Sequence, residues 1–154
     1  MKQVRFILVM FIIALVVSGA TAIPVDPQLS YLLRWFPLET PAHQWISRVL
    51  HAYREVNEKH PFLLYGYDWL AFAHFILAIL FTGPYRDPVR NIWVIEFGMI
   101  SCVLVLPLAG IAGYFRGIPL GWQLIDCSFG IVGFAVLFTC YQLIKKYILL
   151  QNIN

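Results

Sequence analysis

The chain has 154 residues, of which 60% are hydrophobic and only 12% are charged, whereas a typical soluble domain has about 25% charged residues. A soluble domain of this size could not bury so much apolar surface, so the composition excludes an ordinary soluble fold and predicts an all-α integral membrane bundle. The net charge of +3 is spread along the chain, which argues against a nucleic-acid partner because such a partner requires a continuous basic surface.

The N-terminal hydrophobic segment has two interpretations. Residues 6–23 follow Lys2 and Arg5 in the charge order of a secretory signal, and they are just long enough to span a bilayer. Cleavage after Ala22 would leave three transmembrane helices, whereas retention would give four. We expect residues 1–23 to be a retained signal anchor, because small residues suited to close helix packing recur at every fourth position: Ala14, Ser18 and Ala22.

Residues 24–63 interrupt the hydrophobic pattern and are the one sizeable segment expected outside the bilayer. Two dipeptides within it match a helix N-cap followed by proline at the first helical position, namely Asp26-Pro27 and Thr40-Pro41. They predict a short helix ending at Trp35 and a longer helix ending near Lys59.

The longer helix, residues 41–59, is amphipathic by its helical spacing. Its apolar face could lie on the membrane surface, cover the bundle or bind a membrane-protein partner. The residues on this face are Trp45, Ile46, Val49, Leu50, Tyr53 and Val56.

Residues 64–144 contain three more hydrophobic segments and form the predicted transmembrane core. A basic loop at 85–91 and a glycine-rich turn at 113–121 separate the segments. The fourth helix is expected to end at Lys145-Lys146, which leaves residues 145–154 as a cytoplasmic tail.

Basic residues near the ends of the segments predict the orientation, because cytoplasmic loops attract Lys and Arg. Those that fall on one side are Lys2, Arg5, Arg86, Arg90, Lys145 and Lys146. The short loop on the opposite side holds Arg116. We therefore expect both termini to be cytoplasmic, with the protein in the cell membrane.

Several ionisable residues lie inside the predicted spans, where a charge at the helix centre costs about 2.5–3.5 kcal/mol. We predict that four ionisable groups point into the bundle: Asp68, His74, Glu96 and Asp126. In each helix the acid shares a face with small residues: Asp68 with Ala71 and Ala78, Glu96 with Val103, Pro107 and Gly110, and Asp126 with Gly130 and Gly133. The glycine pairs Gly110/Gly113 and Gly130/Gly133 are predicted packing sites.

Depth along the helices divides these groups into two layers. An outer cluster is expected to contain Asp68, Asp126 and Arg116, with His74 beneath it. Glu96 lies near the inner boundary, and its expected ion-pair partner is one of three basic residues: Arg86, Lys145 or Lys146.

These residues permit two functions. If they only fix helix packing, the protein is a non-enzymatic accessory or scaffold subunit of a membrane complex. If they do chemistry, it is a small proton-coupled transporter or an intramembrane enzyme, and the candidate catalytic residues are Asp68, His74, Asp126 and Arg116.

The sequence predicts no cofactor and no metal site. A lone intramembrane histidine, His74, cannot supply bis-histidine haem ligation. The cysteines form no Cys-x-x-Cys pair.

Two stretches of the core resemble uncharacterised small bacterial membrane proteins. They are YGYDWLAFAH at 65–74 and RDPVRNIWVIEFG at 86–98. The resemblance covers residues 62–144 and implies a location in the bacterial cytoplasmic membrane. It transfers no activity and no functional residue.

Overall fold

A computed structural model describes the backbone of residues 1–153 and the side chains through residue 151. Within that range the regular structure is helical and no strand forms, which confirms the all-α class. The helices are α1 (Lys2–Thr21), α2 (Val25–Leu32), α3 (Pro41–Lys59), α4 (Tyr65–Leu80), α5 (Thr82–Arg86), α6 (Ile92–Arg116) and α7 (Leu120–Ile153), with 3-10 turns at Leu33–Trp35 and Pro61–Leu64.

Four helical segments in the described residues are long and apolar enough to cross a membrane. A hydrocarbon core about 30 Å thick needs about 20 apolar residues in a helix. The number of such segments agrees with the sequence prediction. They are Lys2–Thr21, Pro61–Arg86, Ile92–Arg116 and Leu120–Gln151.

The chain divides into two compact units. The first unit contains residues 1–13 and the chain from residue 78 onward, and the second unit contains residues 14–77. The divisions fall inside α1 and α4, so each of these helices contributes to both units.

In the first unit, α6 and α7 pack along their length, and small residues bring their backbones close together. A Cβ atom placed on Gly130 would lie 2.7 Å from the Cys102 carbonyl oxygen, and one on Gly133 would lie 2.9 Å from the Cys102 sulfur. This is the small-residue packing typical of membrane helices. It confirms the predicted role of Gly130 and Gly133, whereas a Cβ on Gly110 would meet nothing within 4 Å.

The packing face of α6 differs from the predicted one. The face that Glu96 shares with Val103, Pro107 and Gly110 was expected to point inward, but those three residues are exposed. The contact with α7 instead uses Gly98 and residues one or two turns beyond it, including Cys102. A shift of two positions rotates a helix face by about 200°, so choosing the wrong small residues reverses the face.

Gly19 provides the close approach of α1 to α4 in the second unit. A Cβ atom on Gly19 would lie 2.9 Å from both the Ala71 carbonyl oxygen and the His74 Cβ. Ala14 and Ser18 are exposed, so the predicted small-residue face is wrong by one position.

The second unit also contains α2 and α3, whose starts follow the sequence prediction in part. Thr40 caps α3, since its hydroxyl oxygen accepts a hydrogen bond of 3.2 Å from the His43 backbone N–H. Asp26 does not cap α2, because that helix begins at Val25 after Pro24. The Asp26 carboxylate faces α3 instead.

The last helix continues past the predicted stop. Lys145 and Lys146 lie inside α7, which runs to Ile153. Lysine is a good helix former, so a basic pair can mark a polar boundary without ending the helix.

Candidate functional site

Arg116 and Asp126 line one cleft in the first unit, with a volume of about 270 Å³. We call it the Arg116 cleft. Its other lining residues are mainly apolar and come from the end of α6 and the start of α7: Val105, Leu108, Ala109, Ala112, Gly113, Ile118 and Gln123. The sequence prediction placed Arg116 and Asp126 together, and the two do share this cleft.

A helix C-cap positions Arg116 in the last turn of α6. Gly117 has a φ of 63°, a left-handed conformation that glycine adopts without strain. The Ile118 backbone N–H donates to the Gly113 carbonyl at 2.9 Å and the Gly117 N–H to the Tyr114 carbonyl at 3.2 Å, which is a Schellman motif.

Gln123 connects this cap to α7. Its side-chain amide donates to the Ile118 carbonyl at 2.8 Å and packs over Gly113, where a Cβ atom would lie 2.5 Å from the Gln123 amide carbon. Gly113 and Gln123 together therefore fix the end of α6 against the start of α7 in this cleft.

The candidate residues are less buried than predicted. Asp68, Asp126 and Arg116 are exposed, and Glu96 and His74 are half-buried. None of the charged side chains that the structure describes is buried. The exposure of Asp68 and Asp126 does not match the prediction that they point into the bundle. The His74 Cβ atom, in contrast, lies on the face of α4 that α1 approaches at Gly19.

Each described candidate acid in a hydrophobic segment lacks an ion-pair contact. Through residue 151, the ion pairs are Arg54 with Asp26 and Lys59 with Glu55. None of the residues expected to pair with Glu96, namely Arg86, Lys145 and Lys146, forms an ion pair within this range, and the Lys145 ammonium lies 5.3 Å from the Tyr141 ring centroid.

His74 and Asp68 belong to the second unit, and they do not converge. The His74 Nδ1 atom lies 2.7 Å from the Leu70 carbonyl oxygen of its own helix, so it donates a hydrogen bond there. Asp68 lines two clefts, neither of which includes His74.

The larger of these clefts has a volume of about 510 Å³ and is rich in aromatic residues. We call it the tyrosine cleft. The sequence pattern did not connect its aromatic residues at the start of α4 with those of α3. Its polar and aromatic lining is Tyr53, Asn57, Phe62, Tyr65, Tyr67 and Asp68.

The position of α3 brings two of these residues to the cleft. Ile46 and Leu50 are buried, with 1% and 6% exposure, and anchor the helix within the second unit. Tyr53 and Asn57 lie one and two turns further along, and the Tyr53 ring meets the Tyr67 ring edge-on at 6.2 Å between centroids. The i, i+4 spacing of Tyr53 and Asn57 indicates that they share one face of α3. The spacing does not identify Tyr67 as their neighbour.

An ion pair joins α2 to α3. The Arg54 guanidinium donates to both Asp26 carboxylate oxygens, at 2.6 Å and 2.9 Å. These hydrogen bonds hold the pKa of Asp26 below its usual value. A hydrogen bond from Lys59 likewise lowers the pKa of Glu55.

Among the residues searched, no group of three or more His, Cys, Asp or Glu side chains is placed to hold a metal ion. Comparison with protein families, curated proteins and solved structures gave no match to the chain.

Proposed function

We propose that this chain is an integral membrane protein that acts as an accessory or scaffold subunit of a membrane complex. Much of the surface of its four apolar segments is not covered by the chain itself, since only 11–17% of the residues in their most apolar stretches are buried. Lipid can solvate the aliphatic part of this surface. Charged residues on the same surface need a different neighbour.

Asp126 is the observation on which this proposal rests. It is exposed on α7, inside the apolar segment Leu120–Gln151, and no ion pair in residues 1–151 includes it. A carboxylate facing lipid is costly, even though the cost decreases toward the membrane boundary. A partner helix that offers a cation or a hydrogen-bond donor at the Arg116 cleft would remove that cost.

The apolar face of α3 is a weaker candidate for partner binding. The central residues of this face, Ile46 and Leu50, are already buried within the second unit. We therefore place the partner contact at the Arg116 cleft and the adjoining lipid-facing surface of α7, and not on residues 41–59.

The proposed location is the bacterial cytoplasmic membrane, with both termini in the cytoplasm. Contacts within the first unit support a common side for the basic residues. Arg5 donates to the Arg86 carbonyl, and Lys2 shares a groove with Leu143 of α7, two residues before Lys145. One basic end is what the positive-inside rule requires of a cytoplasmic face.

The test is purification of the tagged full-length chain in a mild detergent, with identification of co-purifying membrane proteins. We expect one membrane protein to co-purify in a fixed ratio and Asp126→Asn to reduce its recovery at least fivefold. Glu39→Gln, an exposed acid outside the apolar segments, is the matched control and should not change recovery. A monomeric chain with no co-purifying protein would contradict the proposal.

The Arg116 cleft also favours a second function, a small proton-coupled transporter or intramembrane enzyme. It places Asp126, Arg116 and the Gln123 amide around one space of about 270 Å³, and an unpaired carboxylate there can exchange a proton. Proteoliposomes with an imposed pH gradient test this function, which predicts proton flux that Asp126→Asn abolishes and Arg116→Lys reduces. Flux equal to that of protein-free liposomes would exclude the transporter.

A further inference from the structure

We propose that the tyrosine cleft binds an organic ammonium group, with the Asp68 carboxylate as counter-ion and the rings of Tyr53, Tyr65 and Tyr67 as cation–π surfaces. The role is separate from the subunit function and uses different residues. The cation could be the head group of an ammonium lipid or a free organic ammonium compound. Both present the same chemistry to the cleft.

The charge of the lining favours a cation. The cleft has one carboxylate, Asp68, and no basic residue. The nearest basic residues on α3 are occupied elsewhere, since Arg54 pairs with Asp26 and Lys59 pairs with Glu55. A positive ligand would therefore meet an unpaired negative charge without competition from these side chains.

The aromatic lining indicates which type of cation fits. An ammonium group within about 6 Å of a ring centroid is attracted to the negative face of the ring, and quaternary ammonium ligands are bound by aromatic cages. Calcium takes six to eight oxygen ligands, and zinc is held by three or four His, Cys or carboxylate side chains. A single carboxylate among aromatic rings suits the organic cation better.

Asp68 has aromatic residues on both sides. It also lines a second cleft of about 260 Å³ with Tyr65, Trp69 and Phe72. The Trp69 ring lies 6.0 Å from Tyr65 and 5.7 Å from Phe72, edge-on in both cases. Tyr65 and Asp68 belong to both clefts. A cation bound at the Asp68 carboxylate therefore has aromatic rings near it in either cleft.

The size and position of the tyrosine cleft fit a small head group. Its volume of about 510 Å³ lies within the usual range for small-molecule sites, about 300–1,000 Å³. It lies at the start of α4, where the apolar segment begins. Tyrosine and tryptophan are the residues that membrane proteins place at the head-group level.

Calorimetric titration of the purified full-length protein with choline tests the proposal. The matched ligand is 3,3-dimethylbutan-1-ol, which has the same shape as choline but carries no charge. We expect choline to bind and the uncharged analogue to bind at least tenfold more weakly. Equal affinity for both, or no binding of choline, would overturn the proposal without any mutation.

Variants assign the binding to the cleft. Asp68→Asn is expected to weaken choline binding about tenfold, whereas Glu39→Gln, the equivalent change at an exposed acid outside the cleft, should leave it within twofold. Tyr53→Leu removes one ring from α3 without altering an apolar segment and should weaken binding severalfold. Unchanged affinity in both Asp68→Asn and Tyr53→Leu would place the site elsewhere and refute the proposal.

Native mass spectrometry of protein exchanged into equal amounts of phosphatidylethanolamine and phosphatidylglycerol identifies the source of the cation. Preferential retention of phosphatidylethanolamine that Asp68→Asn removes would support the site with a lipid head group as occupant. Choline binding without lipid preference would support it with a free ammonium compound as occupant.

Discussion

In the α6–α7 pair, a helix backbone packs directly against its neighbour at Gly130, whereas α2 and α3 are joined by the buried side chains of α3 and by the Arg54–Asp26 ion pair. The two regions suit different solvents. In lipid, apolar side chains gain little by leaving the solvent, so helices associate through close backbone packing. In water, burial of apolar side chains drives association, and the buried Leu50 of α3 is a contact of this kind. Mutations in each region can test this difference.

The largest expected effect is in the α2–α3 region. Leu50→Ala removes a side chain that is 6% exposed and should destabilise α3 by about 2–5 kcal/mol. Hydrogen exchange of the α3 amides measures the loss. Leu38→Ala, at a position that is 79% exposed, is the control and should change exchange little; equal effects would mean that α3 is not anchored by burial.

The α6–α7 pair should be sensitive to a single added methyl group. Gly130→Ala places a Cβ atom 2.7 Å from the Cys102 carbonyl oxygen, and the backbone cannot move away as a flexible side chain would. We expect a loss of about 1–3 kcal/mol, typical of overpacking, in thermal or denaturant unfolding in detergent. Gly110→Ala, where a Cβ atom meets nothing within 4 Å, should be neutral or stabilising because alanine favours the helix.

If Gly130→Ala and Gly110→Ala had the same stability, close backbone packing would not hold the α6–α7 pair. The proposed difference between the α6–α7 pair and the α2–α3 region would then be contradicted. A loss of stability in Gly130→Ala but not in Gly110→Ala would confirm it.

The smallest expected effect concerns pH. The Asp26 pKa is lower in the folded protein than in the unfolded chain because of the Arg54 hydrogen bonds. The ion pair therefore contributes stability above the ordinary aspartate pKa, about 3.9, and this contribution is lost as the pH falls through the lower folded-state value. The pair is exposed, so the effect should be modest and should decrease with added salt.

The measurement is the midpoint of thermal unfolding at neutral and acidic pH. Asp26→Asn should lower the midpoint at neutral pH and make it less dependent on pH, while Glu39→Gln should leave the pH dependence unchanged. An identical pH response in wild type and Asp26→Asn would show that this ion pair does not stabilise the α2–α3 region.

Sequence reasoning succeeded where a pattern acts within one helix. The Thr40-Pro41 signal placed the start of α3, and hydropathy found the four apolar segments. It failed for Asp26, which was predicted to cap a helix, and for Lys145, which was predicted to end one. Asp26 meets Arg54 of another helix, and Lys145 lies in a helix that continues to Ile153.

The candidate sites were harder to predict, because they depend on helix rotation. Asp126 and Arg116 were placed in one cluster and do share a cleft. Glu96 was assigned to an inward face that is exposed over Val103, Pro107 and Gly110, since the sequence offered several sets of small residues. The tyrosine cleft was not predicted, because Tyr53 and Tyr67 lie on different helices and no local pattern relates them.

The sequence by itself determined the all-α class, the number of apolar segments and the limits of α3, because hydropathy, helix capping and proline act over a few consecutive residues. The tertiary structure decided which face of α6 meets α7, which partner Asp26 takes and which aromatic rings surround Asp68. Those outcomes depend on how whole helices rotate and approach one another. The sequence alone is compatible with several such rotations, because each helix has more than one set of residues suited to packing.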